Sequence, residues 1–589
     1  MDRNAVIRWI VIAAVVIVFM TWGWPLITGK NHKVQSIPEE TYTNAPGFVP
    51  DTLDRPTTEH PGAWEPQEGE ICKIKGNRYD AELSTRGAAL SHLYLRESRY
   101  AGTDGFDMST TPNRERWRSL RTLFRAEGAK DQVKYDRFDW KLERLGDKGC
   151  KFTYEDELVS ITKTVSAGER AFELNVETQL QNLAEAPKKH RFDIETFAFR
   201  TNEEVKGSLG RVSPFQTELD CARNDEVTRK SKDDFMDGWF SEPLIDRWAA
   251  LNNYYFLQGL VPSGSTGEEK PECSLLAEDW VTAGQARDDD KAGAVYHAKL
   301  TYPVKELQPK QAAFYKQIAF FGPKEREVLA QAAGGRVNLG DAINLGFFSP
   351  VAKWLVRALV FFHDKVTGSW GLAIILMTIC LRLGLFPLSI KQIKTTLAMR
   401  RLKPELDAIN KKFADDAQAK QLATMELWRK HGVNPLGGCL PQLVQMPVWF
   451  AMYTTLQTAV EMYHTKFLWF DDLSAPDRFY ILPLVLGGFM IVQQKIVPQQ
   501  GMDPVQQKMM MYLLPIVFTV MMLFLPAALG IYMLTNSLLG ITQQLMVERI
   551  APRSAGGSDK GEIVVKEKKD DKEKDEPPSR LLGKGKARV

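Results

Sequence analysis

Arg382 is the single charged residue in an otherwise apolar run that covers residues 371–390. It lies eight residues before the end of that run, or about 12 Å along a helix that rises about 1.5 Å per residue. A charge without a partner costs at least ~2.5 kcal/mol in the centre of a bilayer. Because arginine is long, its head group could instead extend to the nearby interface, and that alternative stays open.

Uncharged polar residues occur in other apolar runs as well. Thr378 lies one helical turn before Arg382 and on the same face. A second run contains Gln442 and Gln445, and the last run contains Thr535, Asn536, Gln543 and Gln544. Several runs with a polar stripe predict a shared hydrated cavity that holds one cation and uncharged hydrogen-bonding groups. Such a cavity could host the polar or acidic flank of a hydrophobic polypeptide.

Patterns typical of catalysis or ion transport are missing from the sequence. The apolar runs contain no ladder of Asp, Glu or His, no selectivity-filter loop and no matching pair of broken helices. The polar half contains no nucleophile elbow, HExxH or P-loop, and no CxxC occurs. We therefore expect no catalytic residue, metal site, cofactor or DNA binding. A solute transporter or channel remains one alternative, and a membrane-anchored periplasmic carbohydrate-binding protein remains another.

The apolar runs that carry these residues are long enough to span a membrane. The mean hydropathy of −0.26 over 589 residues hides them, because a long polar half dominates the average. A run of 39 uncharged residues near the end is too long for one span, and residues 526–530 divide it into a hairpin. The sequence therefore predicts six transmembrane helices, within residues 9–29, 371–390, 439–458, 479–494 and, as the hairpin, 509–547.

Alternating polar and apolar residues predict a large antiparallel β domain between the first span and the others. The clearest alternation covers residues 79–84, 91–95, 158–165, 172–180 and 312–321. A β-sandwich is favoured over a barrel. The fold class is thus a polytopic α-helical membrane protein with a large periplasmic antiparallel β-sandwich.

The remaining segments complete the predicted domain organisation. Residues 349–363 form an amphipathic helix at the membrane surface, with a core helix as the alternative. Residues 391–433 form a helical hairpin whose basic exterior is compatible with lipid headgroups, ribosomal RNA or a nascent chain. A solvated helix pair that only obeys the positive-inside rule is the alternative. The predicted units are an anchor (1–29), a linker (30–69), a β domain (70–345), a helical domain (346–550) and a disordered charged tail (551–589).

Charge and cysteine content indicate the orientation. Residues 28–348 carry 44 Lys and Arg against 52 Asp and Glu, which gives them a net charge of −8. Because the whole chain has a net charge of +3, the other residues together carry +11. Loop 391–438 has ten Lys and Arg, and loop 464–478 has two, so the former is placed in the cytoplasm. Residues 30–350 are then periplasmic and both termini cytoplasmic, in a bacterial inner membrane. The polar half holds Cys72, Cys150, Cys221 and Cys273, whose pairing stays open.

Several short motifs in and around the apolar runs are specific in sequence. The most specific is Asn434-Pro435-Leu436-Gly437-Gly438-Cys439 followed by Gln445-Met446-Pro447. The others are Ser369-Trp370-Gly371, Arg382 with Phe386-Pro387-Leu388, Phe467-Leu468-Trp469-Phe470, Tyr480-Ile481-Leu482-Pro483, Asp503-Pro504, and Asn536 with Gln543-Gln544. Together these motifs closely resemble those of the YidC-type membrane protein insertases of Gram-negative bacteria. The resemblance is strong over residues 345–550 and weaker over residues 70–340.

The resemblance implies a fold and an activity. The fold is an N-terminal anchor, a periplasmic β-supersandwich and five further spans around a groove that contains Arg382. The groove and client-contact positions of the family correspond to Thr378, Gln445, Met446 and Trp449, and we expect Asn536 to join them. The implied activity is insertion and folding of nascent inner-membrane proteins, alone or with the Sec translocon, and ribosomes are a further candidate partner.

Overall fold

The structure is a computed structural model of the 589-residue chain. It describes residues 69–101, 106–111, 117–126, 139–207, 213–235, 238–265, 269–280, 286, 288–413, 416–433, 436–496 and 509–550. The predicted anchor, nearly all of the predicted linker and the predicted tail lie outside these residues. So do the side chains of residues 436–444, which include Gln442 and Cys439.

The first half of the described chain is built from antiparallel strands in three sheets. Strands β1–β4 form a four-stranded sheet, and β13-β16-β17-β10-β18 form a second sheet in which β5 also pairs with β10. The third sheet has the order β12-β11-β14-β15-β19-β9-β8-β7-β6. The strands are β1 Ile71–Lys75, β2 Tyr79–Ser84, β3 Ala89–Leu95, β4 Phe106–Asp107, β5 Arg121–Ala126, β6 Lys141–Arg144, β7 Gly149–Glu155, β8 Val159–Ala167, β9 Glu173–Asn182, β10 Lys188–Thr201, β11 Glu218–Arg223, β12 Glu226–Lys230, β13 Phe240–Glu242, β14 Trp248–Asn252, β15 Phe256–Ser265, β16 Glu272–Trp280, β17 Gly293–Thr301, β18 Lys305–Leu307 and β19 Ala312–Pro323.

The two larger sheets pack face to face as a sandwich. Strands β10, β16 and β17 of the second sheet lie against β11, β14 and β15 of the third. Residues from all three sheets share one apolar core, which includes Leu83, Phe152, Trp248 and Leu300. The predicted antiparallel β domain is therefore confirmed.

Two disulfides connect the sheets. Cys72 of β1 is bonded to Cys150 of β7, and Cys221 of β11 is bonded to Cys273 of β16. All four cysteines are fully buried. The first bond joins the four-stranded sheet to the third sheet, and the second joins the two faces of the sandwich. The pairing that the sequence left open is thus resolved.

The second half of the described chain is helical. Its helices are α1 Ser349–Phe362, α2 Trp370–Gly384, α3 Phe386–Arg401, α4 Lys403–Lys412, α5 Ala417–Lys430, α6 Leu436–Gln457, α7 Ile481–Ile496, α8 Leu514–Met522 and α9 Ala527–Ile550. Buried residues of α1, α2, α6, α7, α8 and α9 form a second apolar core, which includes Leu355, Met377, Met452 and Leu486.

Helix α2 ends earlier than the sequence predicted. The apolar run was interpreted as one helix over residues 371–390, but α2 ends at Gly384 and α3 begins at Phe386. Leu385 between them has a non-helical ψ of 0°, and Pro387 has no N–H with which to continue the hydrogen bonds of the preceding helix. The prediction of a continuous helix is therefore wrong. Arg382 lies in the last turn of α2, where a cation interacts favourably with the helix dipole.

Helices α4 and α5 form the pair that the sequence placed within residues 391–433. Residues 391–401 belong to α3 instead. The pair buries Leu402, Leu406, Ile409 and Leu427. Leu422 and Met425, which the spacing placed on the inner face of α5, are 64% and 47% exposed, and that part of the prediction is wrong.

A helix crosses a bilayer alone only if it is long and apolar enough. In the described part of the chain, no single helix is long and apolar enough to cross a membrane. Residues Ser349–Thr367 and Trp370–Gly384 satisfy these criteria together, as a pair bent by 117°. Shorter apolar helices cover Ile481–Ile496 and Met509–Met522.

The segment after α6 contacts both halves of the described chain. Val460 is part of the core of the β domain, while Met462 is part of the helical core. Glu461 accepts a hydrogen bond from Arg326 Nη1 at 2.7 Å, and both side chains are more than four-fifths buried. The ring of Tyr463 lies 5.0 Å from that of Tyr255. This segment therefore joins the β domain to the helix that carries Gln445.

Candidate functional site

Arg382 points from the last turn of α2 towards α9. Its Nε donates a hydrogen bond to Asn536 Oδ1 at 2.6 Å, and its Nη2 donates to the backbone carbonyl oxygen of Asn536 at 2.9 Å. Both acceptors belong to one residue, and both are uncharged. Among the described residues no carboxylate forms an ion pair with Arg382, so its positive charge is solvated by amide and carbonyl groups and is not neutralised.

A third helix contributes to the same group. Gln445 of α6 donates from Nε2 to Asn536 Oδ1 at 3.4 Å. Gln543 of α9 donates from Nε2 to the backbone oxygen of Arg382 at 3.5 Å. The structure thus brings together Arg382, Gln445 and Asn536, which the sequence placed in three separate apolar runs. We call Arg382, Gln445, Asn536 and Gln543 the polar cluster.

A glycine gives the guanidinium the space that it occupies. A Cβ atom placed on Gly540 of α9 would lie 3.3 Å from Arg382 Nη2 and 3.8 Å from Gln493 Nε2 of α7. The first distance is closer than ordinary van der Waals contact, so a side chain at position 540 would press on the guanidinium. Sequence reasoning missed Gly540 and Gln493, since a glycine in an apolar helix gives no polar signal and Gln493 lies at the end of its run.

The other predicted site residues lie on the two helices that carry Arg382 and Gln445. Thr378 is 1% exposed, and its hydroxyl donates to the Ile374 carbonyl oxygen of its own helix at 2.7 Å. A polypeptide could reach Thr378 only after the helices move. Met446, next to Gln445, is 40% exposed. Trp449 is half-buried, with its ring 4.9 Å from that of Phe450 and 6.1 Å from that of Tyr453.

The remaining polar residues of the last run take different positions. Gln544 is 7% exposed and donates to Glu548 Oε1 at 2.7 Å, so its side chain is engaged away from Arg382. Among the described residues, no group of three or more His, Cys, Asp or Glu side chains could hold a metal ion. What the polar cluster offers is a fixed cation beside uncharged donors and acceptors. This arrangement suits electrostatic attraction of an anionic group.

Two family models match the chain, and together they cover most of it. The model of the YidC periplasmic domain matches residues 72–358. The model of the 60Kd inner membrane protein matches residues 361–554. The boundary between the two matches lies near the step from strands to helices.

Several relatives are similar over long stretches. The membrane protein insertase YidC of Geotalea daltonii is 30% identical over 94% of this chain and 100% of its own length. That of Geotalea uraniireducens is 32% identical over 81% of this chain and 87% of its own length. The match to the insertase YidC of Anaeromyxobacter dehalogenans is 39% identical but spans about half of that relative, 54% of its length.

Two solved structures are similar at a low level. The crystal structure of an active YidC insertase with its first transmembrane domain resolved gives a TM-score of 0.35 at 18% identity, over 82% of this chain and 93% of that one. A putative aldose 1-epimerase from Escherichia coli K12 gives 0.29 at 10% identity, over 43% and 99%. Neither similarity bears on the activity.

The matched families define a class of inner-membrane protein that carries a periplasmic β domain. Within this class, the chain belongs to the YidC family of membrane protein insertases. The resemblance found in the sequence motifs is therefore confirmed. Neither the transporter nor the carbohydrate-binding alternative is favoured by these relatives.

Proposed function

We propose that this chain inserts hydrophobic segments of nascent membrane proteins into the bacterial inner membrane. The polar flank of the client would pass the polar cluster while its apolar part moves between the helices into lipid. The observation that carries the proposal is the Arg382 guanidinium, held by Asn536 with no carboxylate partner among the described residues. Its charge stays available to attract an acidic flank and so shortens the path of that flank through lipid.

The proposal includes a membrane topology. Six helices would span the bilayer, with residues 30–350 in the periplasm and both termini in the cytoplasm. Two properties support this orientation: a net charge of −8 over residues 28–348 and ten Lys and Arg in loop 391–438. Buried disulfides within the β domain fit an oxidising compartment.

Client contact would involve residues close to the polar cluster. Met446 is exposed beside Gln445 and offers an adaptable apolar surface. We also propose client contact for Gln445 and Trp449, and for Thr378 in a conformation in which the helices have separated. Asn536 would line the same groove beside Arg382. Insertion with the Sec translocon and docking of the basic α4–α5 pair on ribosomes belong to the same proposal.

Substitution of Arg382 tests the proposed function. Arg382→Ala should abolish insertion of a Sec-independent client with an acidic extracytoplasmic tail, because the attracting charge is lost. Arg382→Lys should largely preserve insertion, because a cation remains. Insertion would be measured as protease protection of the tail in cells depleted of the native insertase.

The matched control is Lys394→Ala, which removes an exposed positive charge from the neighbouring helix α3. It should insert the client at the wild-type rate. If Arg382→Ala also inserts the client at the wild-type rate, the charge of the polar cluster is not what moves the tail, and the proposal fails.

A further inference from the structure

The side chain of Asn536 accepts hydrogen bonds from two other residues of the polar cluster. Its Oδ1 accepts from Arg382 Nε at 2.6 Å and from Gln445 Nε2 at 3.4 Å. Both neighbouring nitrogens can only donate, so the atom that faces them has to be the oxygen of the Asn536 amide. The orientation of this amide is therefore set by α2 and α6 together.

The backbone of Asn536 makes a further contact with Arg382. Its carbonyl oxygen, 2.9 Å from Arg382 Nη2, belongs to α9 and cannot rotate away as a side chain could. Gly540 lies one turn further along α9, and a Cβ there would approach the same Nη2 to 3.3 Å. The absence of a side chain at position 540 thus lets the guanidinium reach the helix backbone.

These contacts leave a defined part of the guanidinium unused. Arginine has five N–H donors in a rigid plane. Nε uses its one donor and Nη2 one of its two, so Nη1 and the second N–H of Nη2 have no hydrogen bond among the described residues. Those two nitrogens form the edge that binds a carboxylate through two parallel hydrogen bonds.

We propose that Asn536 and Gly540 are positioning residues, which hold Arg382 so that its Nη1–Nη2 edge faces an acidic client flank. They would act through Arg382 and need not touch the client. This inference rests on the proposed role of Arg382. It adds that the direction of the guanidinium matters as well as its charge: without Asn536 the arginine would turn its charge away from the client, whereas the flexible ammonium group of a lysine could still reach it.

The test uses the full chain and two single-span probe proteins. One probe has a short extracytoplasmic tail with two aspartates, and in the other both are replaced by asparagine. Asn536→Ala should slow insertion of the aspartate probe roughly tenfold, the equivalent of one charge-assisted hydrogen bond. Gly540→Ala should act in the same direction.

Matched controls come from neighbouring positions. A Cβ on Gly488 of α7 would meet nothing within 4 Å, so Gly488→Ala should leave insertion unchanged. Ser537→Ala, one residue after Asn536, should do the same. Asn536→Asp keeps the shape of the side chain and its acceptor but neutralises Arg382. It should fold normally and still slow the aspartate probe as strongly as Asn536→Ala does.

A double substitution separates positioning from packing. Lysine has no planar fork, so in an Arg382→Lys chain Asn536→Ala should slow the aspartate probe less than about twofold. If Asn536→Ala lowers the insertion rate of the aspartate probe equally in the wild-type and the Arg382→Lys backgrounds, Asn536 only packs the helices. That result would overturn the inference. A wild-type rate for Asn536→Ala would also overturn it. Both results differ from failure of the proposed function, in which Arg382→Ala itself has no effect.

Discussion

At the scale of single residues, two cations that form no ion pair among the described residues lie in very different surroundings. Arg382 is solvated by the amide and carbonyl groups of Asn536. Lys163 of β8 is fully buried in the sandwich, where its Nζ donates to the Leu120 carbonyl oxygen. Burial lowers the pKa of Lys163 to about 7. The arginine stays charged at all relevant pH values, whereas the lysine can lose its proton.

Lys163 should make the stability of the β domain depend on pH. Its folded pKa of about 7 lies below the ordinary value of 10.5, so the unfolded chain binds more protons between these values. Stability therefore rises by about 2 kcal/mol from pH 7 to pH 9. Lys163→Met should remove this rise and stabilise the domain at pH 7.

Reduction of the buried Cys72–Cys150 disulfide by a phosphine reports opening of the domain in the purified full chain. The disulfide of the wild-type chain should be reduced much faster than that of the Lys163→Met chain at pH 7. The ratio of the two reduction rates should fall towards one at pH 9. Because both proteins meet the same reagent, the pH dependence of the phosphine cancels. A ratio that is equal at the two pH values would contradict a titrating Lys163.

At this scale the sequence predicted the polar cluster in part. Arg382, Gln445 and Asn536 stood out because polar residues in apolar runs need partners. The sequence could not predict which of them touch. Thr378 shares the face of Arg382, yet its hydroxyl bonds to its own helix, which is a common choice for threonine. Gly540 matters through the space it leaves, and only the packed structure reveals that.

At the scale of elements, the segment after α6 fastens the helices to the β domain. The Arg326–Glu461 pair is one of its polar contacts with the β domain. Tyr463 makes one of its apolar contacts, with its ring stacked 6.3 Å from that of Tyr100. His464 Nδ1 lies 2.9 Å from the Arg99 carbonyl oxygen. Because α6 carries Gln445, a movement of the β domain would reach the polar cluster through this segment.

Breaking the Arg326–Glu461 pair should loosen the segment. Removal of one partner leaves a largely buried charge uncompensated, which typically costs about 3 kcal/mol or more. Arg326→Ala should therefore speed amide hydrogen exchange of the peptide around residues 459–465 at least roughly tenfold. The measurement is hydrogen exchange followed by mass spectrometry on the full chain.

The control for this prediction is an exposed ion pair. Lys316 and Glu177 are 2.9 Å apart with both side chains about half exposed, and such pairs contribute little. Lys316→Ala should leave exchange at residues 459–465 unchanged. If Arg326→Ala behaves like this control, the pair does not hold the segment.

The sequence predicted those strands that have one buried face and one more exposed face. Strands β2, β8 and β19 alternate buried and more exposed positions, and their alternation was visible in the sequence. Strands β14 and β17 were missed, since every residue in them is buried and no alternation arises. The end of α2 was missed because an apolar run shows where burial is possible, whereas the Leu385 backbone and Pro387 decide where the helix stops.

At the scale of the whole molecule, the uneven charge fits the division into two halves. The strand-rich half lies within residues 28–348, which carry a net charge of −8, and its sheets are linked by buried disulfides. The helical half brings polar residues from α2, α6 and α9 to one point. The family could be inferred from short motifs, but the convergence of three helices on Asn536 could not, because it depends on their packing.

Site-specific photo-crosslinking to a stalled nascent membrane protein tests the central claim most directly. A photoreactive residue at Met446, 40% exposed beside the polar cluster, should crosslink to the client. The same residue at Leu484 of α7, 64% exposed and outside the cluster, should crosslink mainly to lipid. Crosslinks to the client from Leu484 with none from Met446 would contradict the proposed path past Arg382.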